Sequence, residues 1–417
     1  MPDCITTSDY LQSFSRSCFR NGSSDRLPMP LLCIAGHRHW SEHAGGVELQ
    51  LRYLGEALAA GGWEVVHLCH SLTGKYGQEL EAPGRLIYWI PLYPNGFCVP
   101  RQQVETLLAE LNPDVLYQRG WGILQESGVV LDFALRRKLP YVFALSSDLT
   151  VQKFLPTTYT FIRHRHPRWR SWLLLPYALW SDVQLHKTLR KAPYLFTQHK
   201  GQQELLRRRY GRESLVVPTL HPELHRPARK EPTPLVVWIH NYRPHAQLGL
   251  ALKIAASYER SGIQFFFVTG STRPEQLREL HRWKRLPSNV RLFGALSPEE
   301  AQELLERAWV LLHTAFYEGF PNTFVQAWLR ETPVVSLWVD PGGVLRREGI
   351  GICADGNTAR LQQALESFLD NPEHRATVGL RAREYAEKQH GLRHNCPRLQ
   401  QLFNGLAQRK PISELCL

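Results

Sequence analysis

LLCIAG at residues 31–36, VELQLRYLGEALAA at 47–60 and WEVVHLC at 63–69 decide the fold. The outer two are apolar runs of strand length, while Val47, Leu51, Leu54 and Leu58 recur at helical spacing and share one face. Gly61 and Gly62 stop the helix before Trp63. A strand–helix–strand unit of this kind begins a parallel sheet. The grammar continues outward. VETLLAEL, SGVVLDFALRRK and GQQELLRRRYG read as helices between the strands DVLYQ, LPYVFALSS, APYLFTQ and SLVVP.

Residues 219–234 (TLHPELHRPARKEPTP) are Pro-rich and aperiodic, which predicts a linker. Beyond it PLVVWIH, HAQLGLALKIAASYERSG and IQFFFVTG restart the alternation as strand, helix and strand. Ser297-Pro298-Glu299-Glu300 supplies an N-cap, a first-turn proline and a capping-box glutamate for a further helix. WVLLHT, PVVSL and GICAD are strands, and residues after about 358 are mostly helical. The expected organisation is a loose tail (1–28), a first Rossmann-like domain (29–218), the linker (219–234), a second such domain (235–385) and a helical C-terminal segment (386–417).

A 417-residue chain with 43% hydrophobic residues has ample material for two cores, which excludes wholesale disorder. The net charge of +12 favours anionic partners without choosing among them. None of the eight cysteines forms a C-x-x-C pair, so reduced thiols and a cytoplasmic setting are expected. Neither a signal-peptide core nor an apolar run of membrane-spanning length is present. FIRHRHPRWRSWLLLPYALW (161–180) mixes Arg163, Arg165, Arg168 and Arg170 with Trp169, Trp172, Leu173 and Trp180. That mixture suits an anionic membrane surface, or a first-domain helix with one charged and one buried face.

The chemistry concentrates in YEGFPNTFVQAWLRETPVVS (317–336). Phe324, Val325, Trp328 and Leu329 make a buried helical face, Asn322 is the expected N-cap, and the first-turn N–H groups form an anion seat. Glu318 lies just before the helix, and Gln326 lies one turn into it on the side of Asn322.

EGFPN followed by an aromatic, a helix and PVVS resembles the donor-site signature of the retaining glycosyltransferases of family 4, within the group 1 glycosyltransferases. AGGVELQLRYLGEALAAGGWEVVHL resembles that family's first glycine-rich loop and helix, and VVWIHNYRP its second-domain phosphate loop. NVRLFGALSPEEAQELLERAWVLLHT resembles the approach to the signature, so the likeness runs over roughly residues 31–405. The resemblance implies a GT-B fold, two Rossmann-like doubly wound domains facing a central cleft, with C-terminal helices returning toward the first domain.

It also implies roles. Glu318 would contact hydroxyls of a donor sugar. Gly319, Phe320, Pro321, Asn322 and Thr323 would offer backbone groups to sugar and diphosphate, and Gln326 would hold the ribose. Arg243 would grip the diphosphate, with Gly45, Gly46 and Gly270 allowing close approach. Asp148 would meet sugar or acceptor, with a satisfied loop cap equally open to it, and Arg119 and Glu48 are acceptor candidates, a surface ion pair being the plainer reading of Arg119. No cofactor beyond a nucleotide-diphosphate sugar and no metal is expected, and no two aspartates are separated by one residue as a D-x-D ligand pair requires. The expected partners are a glycan or lipid-linked acceptor and an anionic membrane face, not nucleic acid.

Two positions depart from the family. Gln326 stands where a second glutamate is usual, and a neutral hydrogen bond in place of a charged one loses on the order of 1 kcal/mol of donor affinity. Ala246 stands where a phosphate-binding lysine is usual, leaving His245 as a replacement. Both keep open a non-catalytic subunit, and the fold also admits a nucleotide-sugar hydrolase or epimerase. An NAD enzyme is disfavoured, because neither half opens with strand–G-x-G-x-x-G–helix.

Overall fold

The protein is seen in a computed structural model that describes residues 29–415 except 44, 72, 92–99, 123–126, 165–168 and 271–285. The expected N-terminal tail therefore lies outside the described residues.

The first domain runs β1 (Leu31–Arg38), α1 (Gly46–Ala60), β2 (Glu64–His70), β3 (Gly77–Ala82), β4 (Arg85–Ile90), α2 (Arg101–Leu111), β5 (Val115–Arg119), α3 (Val129–Arg137) and β6 (Tyr141–Ala144). It continues with α4 (Leu149–Gln152), α5 (Pro156–His164), α6 (Leu175–Lys191), β7 (Tyr194–Thr197), α7 (Lys200–Tyr210) and β8 (Leu215–Val216). Its sheet has the order β3-β4-β2-β1-β5-β6-β7-β8. Every pairing is parallel except β3–β4, an antiparallel edge hairpin that the sequence reading did not identify.

The second domain runs β9 (Leu235–Ile239), α8 (Leu248–Ser257), β10 (Gln264–Val268), β11 (Val290–Phe293), α9 (Pro298–Arg307), β12 (Val310–His313), α10 (Asn322–Trp328) and β13 (Val334–Ser336). After these come α11 (Val344–Glu348), β14 (Gly351–Cys353), α12 (Thr358–Leu369), α13 (Pro372–His390) and α14 (Leu392–Ala407). Its all-parallel sheet has the order β11-β10-β9-β12-β13-β14.

Both sheets are buried on two faces, so their strands read as unbroken apolar runs. Leu51, Leu54 and Leu58 of α1 join Leu32, Ile34 and Val65 in one core layer, and Val104, Leu107 and Leu108 of α2 join Cys33 and Leu116 in the other. The capping box at Ser297 forms as the sequence predicts. The C-terminal helix α14 leaves the second domain and buries Leu399, Leu402, Phe403 and Leu406 in the first. Trp63 Nε1 donates to Asn404 Oδ1 at 3.0 Å, and Gln400 Nε2 to the Ala57 carbonyl at 2.8 Å. The chain crosses between domains a second time there, beside a bridge from His221 to Gly391. The two α/β domains and the returning helix are the GT-B arrangement.

Candidate active site

In each sheet the strand order reverses beside the first strand, between β1 and β5 and between β9 and β12. Ligands of open α/β sheets bind outside the carboxyl ends of the strands at such a switch point. Glu318 follows β12 and His240 follows β9, so the second domain brings these two side chains together at its own switch. His240 Nε2 lies 2.7 Å from Glu318 Oε1. His245 is the third member, with one ligand-type atom of each residue within 4.8 Å of the others, a set able to hold a divalent ion. His245 also stacks on Tyr317 at 4.6 Å.

The Glu318 side chain is 28% exposed and that of His240 11%. Burial opposes charge on Glu318, but the His240 hydrogen bond, reinforced by the fields of His240, His313 and His245, holds its carboxyl down at about 2. Burial likewise opposes charge on His240, and Glu318 overcomes it, raising the imidazole above its ordinary 6.5. At neutral pH the carboxylate is ionised and fixed in direction. His313, by contrast, is pushed down to about 3 by burial and is neutral.

From the first domain, Gly45 caps α1 and Gly46 begins it. A methyl at Gly46 would stand 2.7 Å from Asn322 Nδ2, which donates to the Gly46 carbonyl at 2.8 Å. Glycine is required there because the domains touch. Glu48 is buried beside this contact, and burial pushes its carboxyl up against the pull of its own backbone N–H, Arg38 and Arg243. Arg243 thus faces α1 across the crevice, exposed to solvent. Gly270, at φ +68°, follows β10 and has no room for a side chain beside Asn241.

The expected N-cap of α10 is corrected. Pro321, not Asn322, is the residue at the N-cap of α10. The Asn322 side chain is drawn away from its own helix, to Gly46 and to His221 Nε2 at 3.1 Å. The Phe320 amide is not turned to a ligand but donates to Gln198 Oε1 at 3.2 Å, and its ring is buried 4.7 Å from that of His390. Gly319 is pressed against Gln198 and the Ser146 carbonyl. Pro321 and Gln326 are buried, and Thr323 is half-buried. Ala246 is packed in the second core, so no cation comes from that position.

Asp148 is satisfied by protein. Its Oδ1 accepts from Gln202 Nε2 at 2.8 Å and pairs with His199 Nε2 at 2.9 Å, while its N–H donates to the Glu318 carbonyl at 3.3 Å. Arg119 is buried, lining a small cavity with Gln50, Tyr53 and Phe403. Arg163 is spent on Phe316, 4.9 Å from its ring, and on Tyr159 OH at 2.9 Å, while Arg165, His166 and Arg168 lie outside the described residues.

His240, Gln198 and His221 escaped the sequence reading. Only His240 carried a signal, its position directly after a strand at a switch point. A separate cavity of about 690 Å³ at the inter-domain crossing is lined by Glu223, His225, Arg383, Glu387, Lys388 and Arg393, away from this chemistry.

Two family models match the chain. Residues 45–220 match the glycosyl transferase 4-like domain, and residues 222–385 match glycosyl transferases group 1. No relative was found among curated proteins. Among solved structures, a sucrose-phosphate synthase from Thermosynechococcus elongatus superposes with a TM-score of 0.72 at 18% identity, over 92% of this chain and 100% of the other. WaaG, a glycosyltransferase involved in lipopolysaccharide biosynthesis, gives 0.63 at 16% over 90% and 99%. TarM of S. aureus, in complex with Fondaparinux, alpha-GlcNAc-glycerol and UDP, gives 0.57 at 14% over 75% and 59%. Two abutting glycosyltransferase domains on this architecture make the chain a glycosyltransferase of the GT-B fold.

Proposed function

We propose that the protein transfers a sugar from a nucleotide-diphosphate donor to a glycan, glycolipid or lipid-linked acceptor, with retention of anomeric configuration, as in family 4. The observation that carries this reading is the crevice where the switch points of both sheets meet, with Glu318, His240 and Arg243 on one wall and Gly45, Gly46 and Glu48 on the other. The sugar lies over Glu318, whose carboxylate accepts from its hydroxyls. The diphosphate lies between Arg243 and the start of α1, with Gly46 allowing close approach. Gln326 serves the ribose.

The glycosidic bond of the donor breaks as charge accumulates on the leaving diphosphate, and Arg243 stabilises that charge electrostatically. The leaving phosphate takes the proton of the acceptor hydroxyl on the face it departs from, so configuration is kept. Asp148 holds the crevice wall through His199 and Gln202 and leaves proton transfer to the phosphate. Turnover without added Mg²⁺ or Mn²⁺ is expected on this reading, with Arg243 meeting the diphosphate charge and the His240 hydrogen bond aiming the Glu318 carboxylate at sugar hydroxyls.

Saturation-transfer NMR against a panel of nucleotide sugars tests donor binding, and product analysis tests transfer. Arg243→Ala and Glu318→Ala should each lower kcat/KM at least a hundredfold, on the order of 3 kcal/mol of transition-state stabilisation. Undiminished turnover in both variants would remove the site from this crevice. Binding without transfer would favour a non-catalytic subunit, the reading supported by the buried methyl of Ala246 in place of a cation.

Trp172, Leu173, Leu179, Trp180 and Val183 are exposed around the start of α6, and among the described residues no helix is long and apolar enough to cross a membrane. A peripheral contact with an anionic leaflet would bring a lipid-linked acceptor to the crevice. Flotation with anionic liposomes at low salt checks it, and a protein left at the bottom of the gradient excludes it.

A further inference from the structure

Outside the crevice the first domain holds a second group of ligand-type side chains. His39 follows β1, His67 lies in β2 and Glu81 in β3, and one ligand-type atom from each lies within 4.8 Å of the other two. His39 is 2% exposed and His67 3%. His39 Nε2, His67 Nε2 and Glu81 Oε2 are all buried without a hydrogen-bond partner, His39 Nε2 coming no nearer than 3.6 Å to Glu81 Oε1. Three such polar atoms in one place are rare in a folded interior and call for an occupant.

Outer contacts orient the same atoms. His39 Nδ1 sits 2.8 Å from Ser41 Oγ, with the Ser41 N–H farther away at 3.3 Å. The Ser41 N–H donates to Nδ1 in the ion-free protein, so Nε2 carries the ring proton there, and an ion at Nε2 would displace that proton while Nδ1 turns to the Ser41 hydroxyl. Trp40 Nε1 donates to Glu81 Oε1 at 2.9 Å, leaving Oε2. In α1, Gly55 keeps space open beside His67, since a methyl there would stand 2.9 Å from Nε2. Arg85 opposes a cation here, its Nη1 lying 3.6 Å from Glu81 Oε1 and 3.5 Å from Glu56 Oε1. Glu56 takes up that guanidinium when Glu81 is engaged, and Glu42 and Glu79 add negative field to the region.

We propose that His39, His67 and Glu81 bind a divalent transition-metal ion of the zinc class as a structural centre. Two neutral imidazoles and a carboxylate supply three zinc ligands and leave the fourth position to a water, and Zn²⁺ at 2.0–2.2 Å from each draws the ligand atoms to about 3.4 Å apart. The ion ties the end of β1 to the edge hairpin. It thereby anchors the loop that carries Gly45 and Gly46 to the crevice, while taking no part in sugar transfer.

The test is metal analysis of the full, untagged chain after zinc loading and dialysis. The expected result is stoichiometric zinc in the wild type, loss of it in His67→Gln and Glu81→Gln, and retention in His245→Ala. X-ray absorption of the wild-type protein should show two imidazole ligands and a carboxylate, a measurement that holds even if a variant does not fold. Substoichiometric zinc with an unchanged Tm would overturn the proposal, leaving a buried water or a proton on His39 Nε2 as the occupant. So would zinc that persists in both variants, or that shows one imidazole or none.

Discussion

His240 and Glu318 set the pH behaviour of the crevice. The His240 imidazole is raised above 6.5 by its partner, so its contribution to stability is complete below 6.5 and is lost as pH rises through the raised value. Glu318 contributes above 4.5 and loses that only as pH falls toward about 2. His240→Asn, which keeps a neutral donor, should therefore flatten the alkaline part of the wild-type Tm–pH curve. Identical curves for the two proteins between pH 6 and 9 would refute the coupling. Gly46→Ala separates folding from function at a single residue. Alanine favours the helix, so Tm should hold or rise, while the methyl displaces Asn322 and donor KM rises several-fold. A fall in Tm with KM unchanged would contradict the close-approach role.

Among the elements, α14 has the clearest structural work. Phe403 is fully buried, edge-on to Trp63 at 6.2 Å and to Phe196 at 6.4 Å, so one aromatic side chain from the C-terminal helix fills the first domain. Phe403→Ala should cost about 3–5 kcal/mol in chemical denaturation. A loss under 1 kcal/mol would mean that α14 is dispensable to that core. The short α10 shows how an element is placed by its surroundings. Phe324, Val325, Trp328 and Leu329 bury completely, and the entry turn is gripped from the first domain through Gln198.

Over the whole molecule, the two domains meet at several points. Asn322 joins Gly46 to His221 at the crossing segment, and Gln50 of α1 reaches the same segment, its Nε2 donating to the Leu220 carbonyl at 2.9 Å. Arg163 stacks on Phe316 on another side of the crevice. If the proposed donor site lies in this crevice, entry of a nucleotide sugar requires opening, and Asn322→Ala should lower the closed fraction measured by single-molecule FRET between the domains. An unaltered distribution would show that other contacts hold the closed form.

Periodicity alone was enough for most elements, because a strand buried on both faces and a helix with one apolar stripe leave patterns in consecutive residues. It failed at β3–β4, where GQELEA is too polar to resemble the strands around it, and at the N-cap of α10. Glu318, Arg243 and the paired glycines could be named from local strings. That Glu318 is held by His240, 78 positions away, that Phe320 turns to Gln198, 122 positions away, and that Arg119 is buried depends on residues distant in the chain. Their contacts exist only once strand order brings the carboxyl ends of both sheets face to face, and no local pattern encodes that order.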